Sequence, residues 1–468
     1  MSSPVAVIGG GWAGCAAAVT LARAGVPVAL FETAPVLGGR ARRVPRAGLP
    51  LDNGQHLLLG VYEQTLALLT HVHGSIEART VFTRLPLTIV PLAPEQEGAL
   101  TLIRREAAGK LGLLLGLLTA RGLTWRERWS NIDWFLRLKR AGFARGPDET
   151  VAQMLAPLPR RVAQSLWEPL CLAALNTPPV IASAQIFANV LKAAFAGKAA
   201  ASDFLLPATD LTSLFPEAAA RFVEEHGGVI RTETNARIVR AAHDDATLLV
   251  GQTMQPARAI IVAVGPHQLS GAFAPEALAA RPELRGFLDQ LAALDFEPIV
   301  TVWLGYAAAT PLPATIARLD DAPGQWVVDR PEILAHAEPD PGRPALRQLL
   351  AVILSASGPH EKLDHDGLAR EVDAQLRRLQ PARSPCAWSQ VIAERRATYA
   401  CTPRRMRPGQ VRLVAGVYLA GDYVDADYPA TLEAAVRSGI AAAEAVLNDL
   451  QRDVRHDLRQ VAAHDVRP

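Results

Sequence analysis

The sequence predicts an α/β protein in which a Rossmann-like dinucleotide-binding domain is combined with a second domain of mixed helices and strands. Residues 5–8, VAVI, have the apolar composition of a buried parallel strand. The glycine-rich residues 9–14, GGGWAG, follow at once, and residues 16–24 form a helix-favouring run. A second apolar strand, residues 26–31, ends in Glu32. This order of strand, glycine turn, helix, strand and acidic residue is typical of a dinucleotide-binding unit.

The three glycines of the G-x-G-x-x-G spacing have separate predicted roles. Gly9 allows the sharp turn after the strand, Gly11 lets the backbone approach a pyrophosphate, and Gly14 lets the helix pack closely on the strand. The N–H groups at the start of the helix attract the anion. Glu32 is expected to accept hydrogen bonds from the ribose hydroxyls, which favours FAD or NAD over NADP. A tight glycine turn without a ligand is the alternative.

A second glycine turn, residues 38–41 with the sequence GGRA, distinguishes FAD from NAD. Ordinary nicotinamide-binding domains have no need of it. The glycine pair lets another stretch of backbone close over the diphosphate, and Arg40 can neutralise one of the phosphate charges bidentately. A surface turn with a solvated arginine is the alternative.

The run ETAPVLGGR, residues 32–40, resembles the N-terminal FAD motif of the amine oxidase and phytoene desaturase superfamily. A matching C-terminal piece is present at residues 417–422, VYLAGD, and a final helix opens within residues 429–439. The resemblance implies an FAD-binding domain of the amine-oxidase type. In it, Asp422 meets the ribityl-phosphate side of FAD, and the helix N-terminus near Leu432 faces the flavin ring, where its amides would stabilise negative charge. A purely structural strand and helix are the alternative.

Two further segments are similar to those of hydroxysqualene dehydroxylases, the squalene-associated FAD-dependent desaturase-like proteins of bacterial hopanoid pathways. They are residues 51–60, LDNGQHLLLG, and residues 167–178, WEPLCLAALNTP. The resemblance extends to about residue 447 and implies that hydroxysqualene and reduced FAD give squalene, water and oxidised FAD. A hydride from flavin N5 would reach an allylic carbocation after an acid protonates the departing hydroxyl. The expected substrate is therefore a long apolar isoprenoid.

The two parts of the FAD motif lie at opposite ends of the chain, so we expect discontinuous domains. FAD binding is assigned to residues 1–61, 201–265 and 411–447, a mainly helical substrate part to 62–200, a substrate part with a sheet and helices to 266–410, and a polar tail to 448–468. Strands are predicted at residues 227–231, 235–239, 259–264, 299–304, 325–328 and 349–354. By resemblance, the backbone at Ala236 meets the adenine; an ordinary strand contact is the alternative.

The residues expected to bind FAD noncovalently come from both glycine turns, the segment around His56, the strand at Ala236 and the C-terminal motif. They are Gly9, Gly11, Trp12, Ala13, Gly14, Glu32, Thr33, Gly38, Gly39, Arg40, Ala41, Gly54, Gln55, His56, Ala236, Gly421, Asp422, Thr431, Leu432 and Ala434. Covalent attachment at Cys401 is not expected, because residues 399–403, YACTP, do not match the cysteine site of some amine oxidases.

The acid that protonates the leaving hydroxyl has two main candidates, His56 and Asp425. Each lies beside a segment matched to the flavin, and an apolar pocket is expected to raise its pKa toward neutrality. His56 has the alternative role of a hydrogen bond to FAD or to a carbonyl, and Asp425 that of capping a turn. Glu168 is a weaker third candidate, with a structural role at a Pro169 helix break as its alternative.

Residues 107–140 combine a leucine run with many cations, which indicates either a helix on an anionic membrane surface or a core helix with a solvated basic edge. In the first interpretation the leucines enter the acyl boundary. The residues are Leu111, Leu113, Leu114, Leu115, Leu117 and Leu118, with Arg104, Arg105, Lys110, Arg121, Arg126, Arg128, Arg137, Lys139 and Arg140 around them. No spanning helix is expected. The expected location of the protein is the cytoplasm. In the first interpretation it lies at the inner face of the cytoplasmic membrane. Contact with squalene-pathway synthases is a further hypothesis.

Composition argues against several other classes. The net charge of +2 without a clustered basic excess predicts no nucleic-acid partner. The four cysteines lie far apart without a CxxC pair, which predicts neither a metal site nor a disulfide framework and fits a reducing compartment.

Three other functions compete with the dehydroxylase. A carotenoid-type desaturase would use the same cofactor to remove hydrogen from an isoprenoid, although residues 53–56 and 176–178 favour the dehydroxylase. An amine oxidase usually holds its amine with an aromatic pair at the flavin, and only Tyr423 and Tyr428 are near in sequence. A non-catalytic prenyl-lipid escort protein would not need the intact phosphate and ribityl motifs.

Overall fold

A computed structural model of the protein describes residues 3–75, 80–96, 99–104, 109, 112–242, 245–404, 408–409 and 411–464, with side chains to residue 452. Two predicted segments therefore lie partly outside this description. They are the polar tail beyond residue 452 and the leucine and cation run, of which residues 105–108, 110 and 111 are not described.

The dinucleotide-binding part is built on a six-stranded sheet. Its strands, in spatial order, are Arg412–Val414, Val417–Leu419, Ile260–Val262, Val5–Ile8, Val28–Phe31 and Val229–Arg231. The last five strands are parallel, and the first pairs antiparallel at one edge. The parallel strands come from three separate stretches of the chain, at both ends and in the middle, as expected for a discontinuous domain. The boundaries of the domains stay predictions.

The first strand–turn–helix unit differs from the sequence prediction only at its edges. The helix spans Trp12–Arg23, so it begins four residues earlier than the run starting at Ala16. It can do so because Gly11 has the extended conformation of an N-cap residue, with φ −71° and ψ 178°. The second strand begins at Val28, because Pro27 has no N–H to donate to a sheet.

The final helix, Leu432–His464, crosses the Trp12–Arg23 helix at very close range. A β-carbon on Gly439 would lie 2.2 Å from the Ala13 carbonyl oxygen and 3.1 Å from the Ala16 β-carbon. The absent side chain at Gly439 therefore allows the crossing. Since the crossing lies near the start of both helices, it brings both N-termini to one edge of the sheet.

A second, antiparallel sheet has five strands. In spatial order they are Ile316–Arg318, Trp326–Asp329, Gln348–Ser355, Phe296–Tyr306 and Trp388–Tyr399. The three strands predicted in this part of the chain are confirmed, with slightly different ends. The long strand Trp388–Tyr399 was not predicted, because its alternation of exposed charges, with ERR at residues 394–396, hides the buried positions.

The remaining strands form three smaller sheets among the described residues. A three-stranded meander consists of Ala236–Arg240, Ala246–Val250 and Thr253–Ala257, which confirms the predicted strand at Ala236. The other short strands are Leu58–Leu59, Phe204–Pro207, Phe82–Leu85, Thr88–Ile89 and Leu102–Ile103.

Most of the segment between residues 62 and 200 is helical, as predicted. Its helices are Glu63–His73, Gly112–Thr119, Trp125–Arg140, Val151–Leu155, Arg160–Val162, the π-helical Ala163–Trp167, Glu168–Leu175 and Ala184–Phe195. Elsewhere the chain forms four short 3₁₀-helices and six α-helices among the described residues. The 3₁₀-helices are Ala199–Ser202, Pro266–Gln268, Ser270–Ala272 and Pro359–Lys362. The α-helices are Leu211–Leu214, Pro216–Glu225, Pro275–Ala279, Pro282–Ala292, Pro331–Ala335 and His365–Leu379. Across the described ranges, no helix is both long and apolar enough to cross a bilayer.

Candidate active site

A large cavity of about 1000 Å³ lies between the two sheets and the helical part. One side of it, which we call the nucleotide side, is formed by the two glycine turns, Glu32, Arg40 and the Gly421–Asp422 segment. The other side, which we call the apolar side, is formed by helices and by the antiparallel sheet. Its lining includes Leu57, Leu170, Ala174, Phe187, Phe195 and Trp326.

The two glycine turns of the nucleotide side pack against each other. The Gly38 amide donates to the Gly10 carbonyl over 2.8 Å, and Gly39 has a positive φ of 59°. A β-carbon on Gly14 would lie only 1.9 Å from the Gly9 carbonyl oxygen, which supports its predicted role in close packing. A β-carbon on Gly11 would meet only Gly39, at 4.0 Å. The space in front of Gly11 is therefore open to the cavity, as a diphosphate-binding cradle requires.

Glu32 is held at the end of its strand by two backbone groups. Its carboxylate accepts from the Gly10 amide over 2.7 Å and from the Ala34 amide over 2.8 Å. The Thr33 hydroxyl also donates to it over 3.3 Å. A carboxylate has about four lone-pair positions, so these three hydrogen bonds still leave capacity for a ribose hydroxyl. Glu32 and Thr33 both line the cavity.

Arg40 and Asp422 form an ion pair with 2.7 Å between Nη2 and Oδ1. A second guanidinium nitrogen of Arg40 donates to the Ala397 carbonyl over 2.8 Å. The sequence predicted separate cofactor contacts for Arg40 and Asp422, whereas the structure also joins them to each other. The pair connects the N-terminal glycine turn to the C-terminal motif at the cavity wall. The guanidinium has five N–H donors, so the pair does not exhaust its capacity for a phosphate.

Tyr423, the residue after Asp422, also lines the cavity and is 1% exposed. Its hydroxyl is buried and has no hydrogen-bond partner among the described residues. Burial raises the pKa of this phenol, so it stays protonated and able to donate. A buried hydroxyl without a partner costs free energy, which a bound polar cofactor would remove. Together with the glycine cradle, this hydroxyl fits the binding of FAD.

The C-terminal helix opens onto the same cavity. Thr431 and Leu432 line it, and the Thr431 hydroxyl accepts from the Ala434 amide over 3.1 Å, which caps the helix. The first amides of a helix have no carbonyl partner within the helix, so they can face a bound anion. Ala434 itself is completely buried and does not line the cavity. Its side chain therefore does not face the space for FAD, and its amide is engaged by the Thr431 hydroxyl.

Most of the other predicted cofactor residues also line the cavity. These are Trp12, Ala13, Gly38, Gly39, Ala41, Gly54, Gln55, His56, Ala236 and Gly421. Gly14 does not, in agreement with its packing role. Their individual contacts with FAD stay predictions.

His56 faces the cavity with one ring nitrogen already engaged. Its Nδ1 lies 2.9 Å from the Gly54 carbonyl oxygen. Since a carbonyl only accepts, we infer that Nδ1 carries the hydrogen, which leaves Nε2 for other partners. The expected direction of the pKa shift was wrong. Burial lowers the pKa of His56, because the charged form of histidine is the protonated one, and Arg40 adds to this while the Gly54 bond opposes it.

The segment around His56 is fixed from the antiparallel sheet. The Gln55 amide donates to the Thr301 hydroxyl over 3.2 Å, and the Gln55 side chain donates to the His56 carbonyl over 2.9 Å. Arg330, which is 1% exposed, donates to the Gln55 side-chain oxygen. Arg330 was not predicted as a site residue, because a lone arginine before Pro331 has no motif that marks it.

Three residues considered from sequence do not line the cavity. Asp425, predicted as an acid, pairs with Arg437 over 3.1 Å and accepts from the Asp427 amide, so its charge is used locally. Glu168 starts the Glu168–Leu175 helix, whose cavity-facing residues come later in it. Cys401 is 1% exposed and lies outside the cavity wall. Both acid assignments are therefore corrected, and the position of Cys401 agrees with noncovalent cofactor binding.

Two further tyrosines line the cavity. Tyr62 precedes the Glu63–His73 helix and is 8% exposed, and Tyr428 precedes the C-terminal helix. Burial raises the pKa of both phenols, so both stay protonated. Tyr62 was missed, because only the fold brings it beside Thr431. Within the described part of the chain, no cluster of three histidine, cysteine, aspartate or glutamate side chains could hold a metal ion.

Comparison with curated proteins gives relatives of two kinds. Hydroxysqualene dehydroxylases from Rhodopseudomonas palustris and Sinorhizobium fredii are 28% and 26% identical, and each alignment covers 96% of this chain and 99% of the relative. A zeta-carotene desaturase from Synechocystis sp. is 24% identical, over 96% of this chain and 98% of the relative.

Solved structures share the fold. An oxidoreductase from Methanosarcina mazei superposes with a TM-score of 0.72 at 15% identity, covering 94% of this chain and 100% of that one. Cyclohexylamine oxidase from Brevibacterium oxydans superposes with a TM-score of 0.66 at 16% identity, covering 96% and 100%.

The family model for flavin-containing amine oxidoreductases matches residues 12–447, nearly the whole chain. This range includes Gly14, the second glycine turn, the Arg40–Asp422 pair and the start of the C-terminal helix, and it begins just after Gly11. FAD is the cofactor, and the protein is an FAD-dependent oxidoreductase. The chain belongs to the flavin-containing amine oxidoreductase family.

Proposed function

We propose that this oxidoreductase reduces hydroxysqualene to squalene, with loss of the hydroxyl group as water. The observation that carries the proposal is the continuity of the cavity, in which the FAD cradle adjoins a wall of hydrocarbon side chains. The naming of two relatives as hydroxysqualene dehydroxylases over nearly their whole length supports it.

The apolar side suits a long hydrocarbon better than a polar substrate. Phe187, Leu191 and Phe204 line it from helix and strand, and Trp326 and Ile353 line it from the antiparallel sheet. Burial of apolar surface contributes roughly 25 cal/mol per Å², so an isoprenoid chain along this wall would bind without any charged contact. The same wall excludes water from the reacting carbon.

The reaction requires a proton for the departing hydroxyl and a hydride for the carbon left behind. When bound in its reduced form, FAD supplies the hydride. The protein must deliver the proton, and His56 Nε2 is the group we propose for this step. Its ring is oriented by the bond from Nδ1 to the Gly54 carbonyl, and it lines the cavity. Burial raises the pKa of Tyr62 and of Tyr428, so both phenols stay protonated and are suited to orient the hydroxyl by donating a hydrogen bond.

This assignment has a consequence for the pH dependence of turnover. Burial lowers the pKa of His56 below its ordinary value of 6.5, so the imidazolium is a minor species at neutral pH. We expect turnover of reduced enzyme to rise as the pH falls below about 6.5. The His56→Gln variant should be slower and lack this rise. An unchanged profile in the variant would remove His56 from the mechanism.

A second candidate is an isoprenoid desaturase. It is favoured by the zeta-carotene desaturases among the relatives, which align over the same length. The same apolar wall would hold a polyene, but no group would need to protonate a leaving hydroxyl. For either reaction, we propose a cytoplasmic protein working at the inner face of the membrane, near the synthases that make its substrate.

The deciding experiment is anaerobic incubation of the FAD-loaded, reduced protein with hydroxysqualene. We expect one squalene for each flavin oxidised, measured by flavin absorbance and by mass spectrometry of the extract. The control is the oxidised protein incubated with squalene and with ζ-carotene. If the reduced protein leaves hydroxysqualene unchanged while the oxidised protein desaturates the polyene, the desaturase replaces the proposed function.

A further inference from the structure

The helix Trp125–Arg140 presents an unusual surface, which we call the tryptophan face. Trp125 and Trp129 lie one helical turn apart and are 62% and 60% exposed. Side chains four residues apart lie on the same face of a helix, so the two indoles are neighbours at the surface. Large aromatic side chains at such exposure leave apolar area in water.

The tryptophan face belongs to a concentration of exposed apolar side chains. Of the ten large apolar residues that are exposed in the described chain, four lie between residues 103 and 129. They are Ile103, Leu115, Trp125 and Trp129. The helix Gly112–Thr119 packs against both the strand of Ile103 and the tryptophan helix, so these residues belong to one region of the surface.

Of the two interpretations of the leucine run, the structure favours the core helix. Leu117 is completely buried and Leu113 is 8% exposed, so the Gly112–Thr119 helix is largely a core helix. Leu115 is its large exposed apolar side chain, at 39%, and Leu111 lies outside the described residues. The alternative of a core helix is therefore the better one for the leucines, and the exposed apolar surface belongs to the next helix.

The charge around the tryptophan face is positive. The exposed ionisable residues of the Trp125–Arg140 helix are four cations and one carboxylate: Arg126, Arg137, Lys139, Arg140 and Asp133. Asp133 pairs with Arg137, and the other three cations have no ion pair within the described residues. Three net positive charges therefore accompany the two indoles.

The opposite face of the same helix is anchored in the protein. A capping box of Thr124 and Glu127 fixes its start. Phe135 packs edge-on against Phe195, with 6.0 Å between ring centroids, and Phe195 lines the apolar side of the cavity. The fold thus needs the buried face of this helix, which includes Trp134, but not Trp125 and Trp129. One helix connects the cavity wall to an aromatic and basic surface.

We propose that the tryptophan face docks the protein on the surface of an anionic phospholipid bilayer. Indole rings favour the boundary between headgroups and acyl chains, and arginine and lysine side chains are attracted to anionic headgroups. A patch of both kinds on a rigid helix fits a lipid surface better than an acidic protein, which would leave the indoles in water. The docking would bring the cavity wall close to the phase that dissolves isoprenoids.

Vesicle co-sedimentation of the FAD-loaded protein tests this docking. The vesicles are equal mixtures of phosphatidylglycerol and phosphatidylcholine, compared with phosphatidylcholine alone, at low and high salt. We expect binding to the anionic vesicles only, and weaker binding at high salt. Trp125→Gln combined with Trp129→Gln should weaken binding to the anionic vesicles by about tenfold or more. A triple variant in which glutamine replaces Arg126, Lys139 and Arg140 should weaken it to a similar extent.

The matched control is Met254→Gln combined with Leu363→Gln, which removes two apolar side chains that are 57% and 41% exposed elsewhere. This control should bind vesicles like the wild-type protein. Unchanged flavin absorbance and unfolding temperature in every variant exclude misfolding as the cause of weaker vesicle binding.

Equal binding of the tryptophan variant and the wild-type protein would overturn the proposal. It would also be overturned by equal binding to neutral vesicles, or by self-association through this face, seen as a dimer in size-exclusion chromatography that the tryptophan variant abolishes. The readout does not depend on substrate, so vesicle binding without hydroxysqualene turnover would separate the docking from the proposed function.

Discussion

The nucleotide side and the apolar side of the cavity are built in different ways. The nucleotide side is mostly backbone, with two glycine turns, strand ends and helix N-termini placed where a diphosphate and a ribose would bind. The apolar side is made of side chains from several helices and from a second sheet. Cofactor binding therefore depends on a few contiguous motifs, whereas the shape of the apolar side depends on packing between distant segments.

Among the substitutions considered, that of Gly14 should have the largest effect on stability and on FAD binding. In Gly14→Ala the new β-carbon would lie 1.9 Å from the Gly9 carbonyl oxygen, so helix and strand must separate. We expect the free energy of unfolding to fall by about 3 kcal/mol and bound FAD to be lost. Urea unfolding and the flavin-to-protein absorbance ratio measure the two effects.

Gly11→Ala is the matched control for that substitution. Its β-carbon would meet only Gly39, at 4.0 Å, so the unfolding free energy of the FAD-free protein should change by less than about 1 kcal/mol. Affinity for FAD should nevertheless fall at least about tenfold, because the β-carbon projects into the cradle. Retention of normal FAD affinity would mean that the diphosphate does not lie in front of Gly11.

The next largest effect is expected on the apolar side. Ala174→Phe would fill part of the cavity from the Glu168–Leu175 helix, so turnover of hydroxysqualene should fall by about a hundredfold while FAD content stays unchanged. Leu172→Phe, on the same helix but away from the lining, is the control. Loss of FAD in Ala174→Phe would contradict the separation of the two sides.

The Arg40–Asp422 pair should show a smaller effect, confined to the cofactor. Asp422→Asn removes the charge partner of Arg40, and hydrogen bonds to charged groups contribute about 1.5–3 kcal/mol. We expect FAD affinity to fall roughly tenfold to a hundredfold, measured by titration of FAD-free protein. Asp425→Asn, whose side chain pairs with Arg437 away from the cavity, should bind FAD normally and keep its turnover. Loss of turnover in Asp425→Asn would mean that Asp425 does act on the substrate.

The smallest effect concerns the stability contributed by His56. Burial lowers its folded-state pKa below the unfolded value of about 6.5. As the pH falls through 6.5, the unfolded state binds a proton before the folded state does, so the protein loses stability with acidification. His56→Gln lacks this contribution and should lose less stability between pH 7.5 and 5.5 in urea unfolding. A parallel loss in both proteins would show that His56 is not buried in solution.

Local patterns predicted much of the nucleotide side. The strand, glycine turn and helix at residues 5–23 were recognisable because their information lies in adjacent residues. The strands of the second sheet were also recognisable, except Trp388–Tyr399, whose exposed charges conceal its buried positions. Asp425 and Glu168 were misassigned because sequence proximity to a motif does not reveal the direction of a side chain.

By itself, the sequence determined the class of cofactor, because the glycine spacing, Glu32 and the Gly-Asp segment each specify a backbone geometry that is encoded locally. Only the tertiary structure decided which distant groups meet. It paired Arg40 with Asp422 across 382 residues, placed Tyr62 on the cavity wall, buried Leu113 and Leu117 and exposed the tryptophan face. Contacts of this kind depend on how elements pack against one another, and local periodicity does not contain that information.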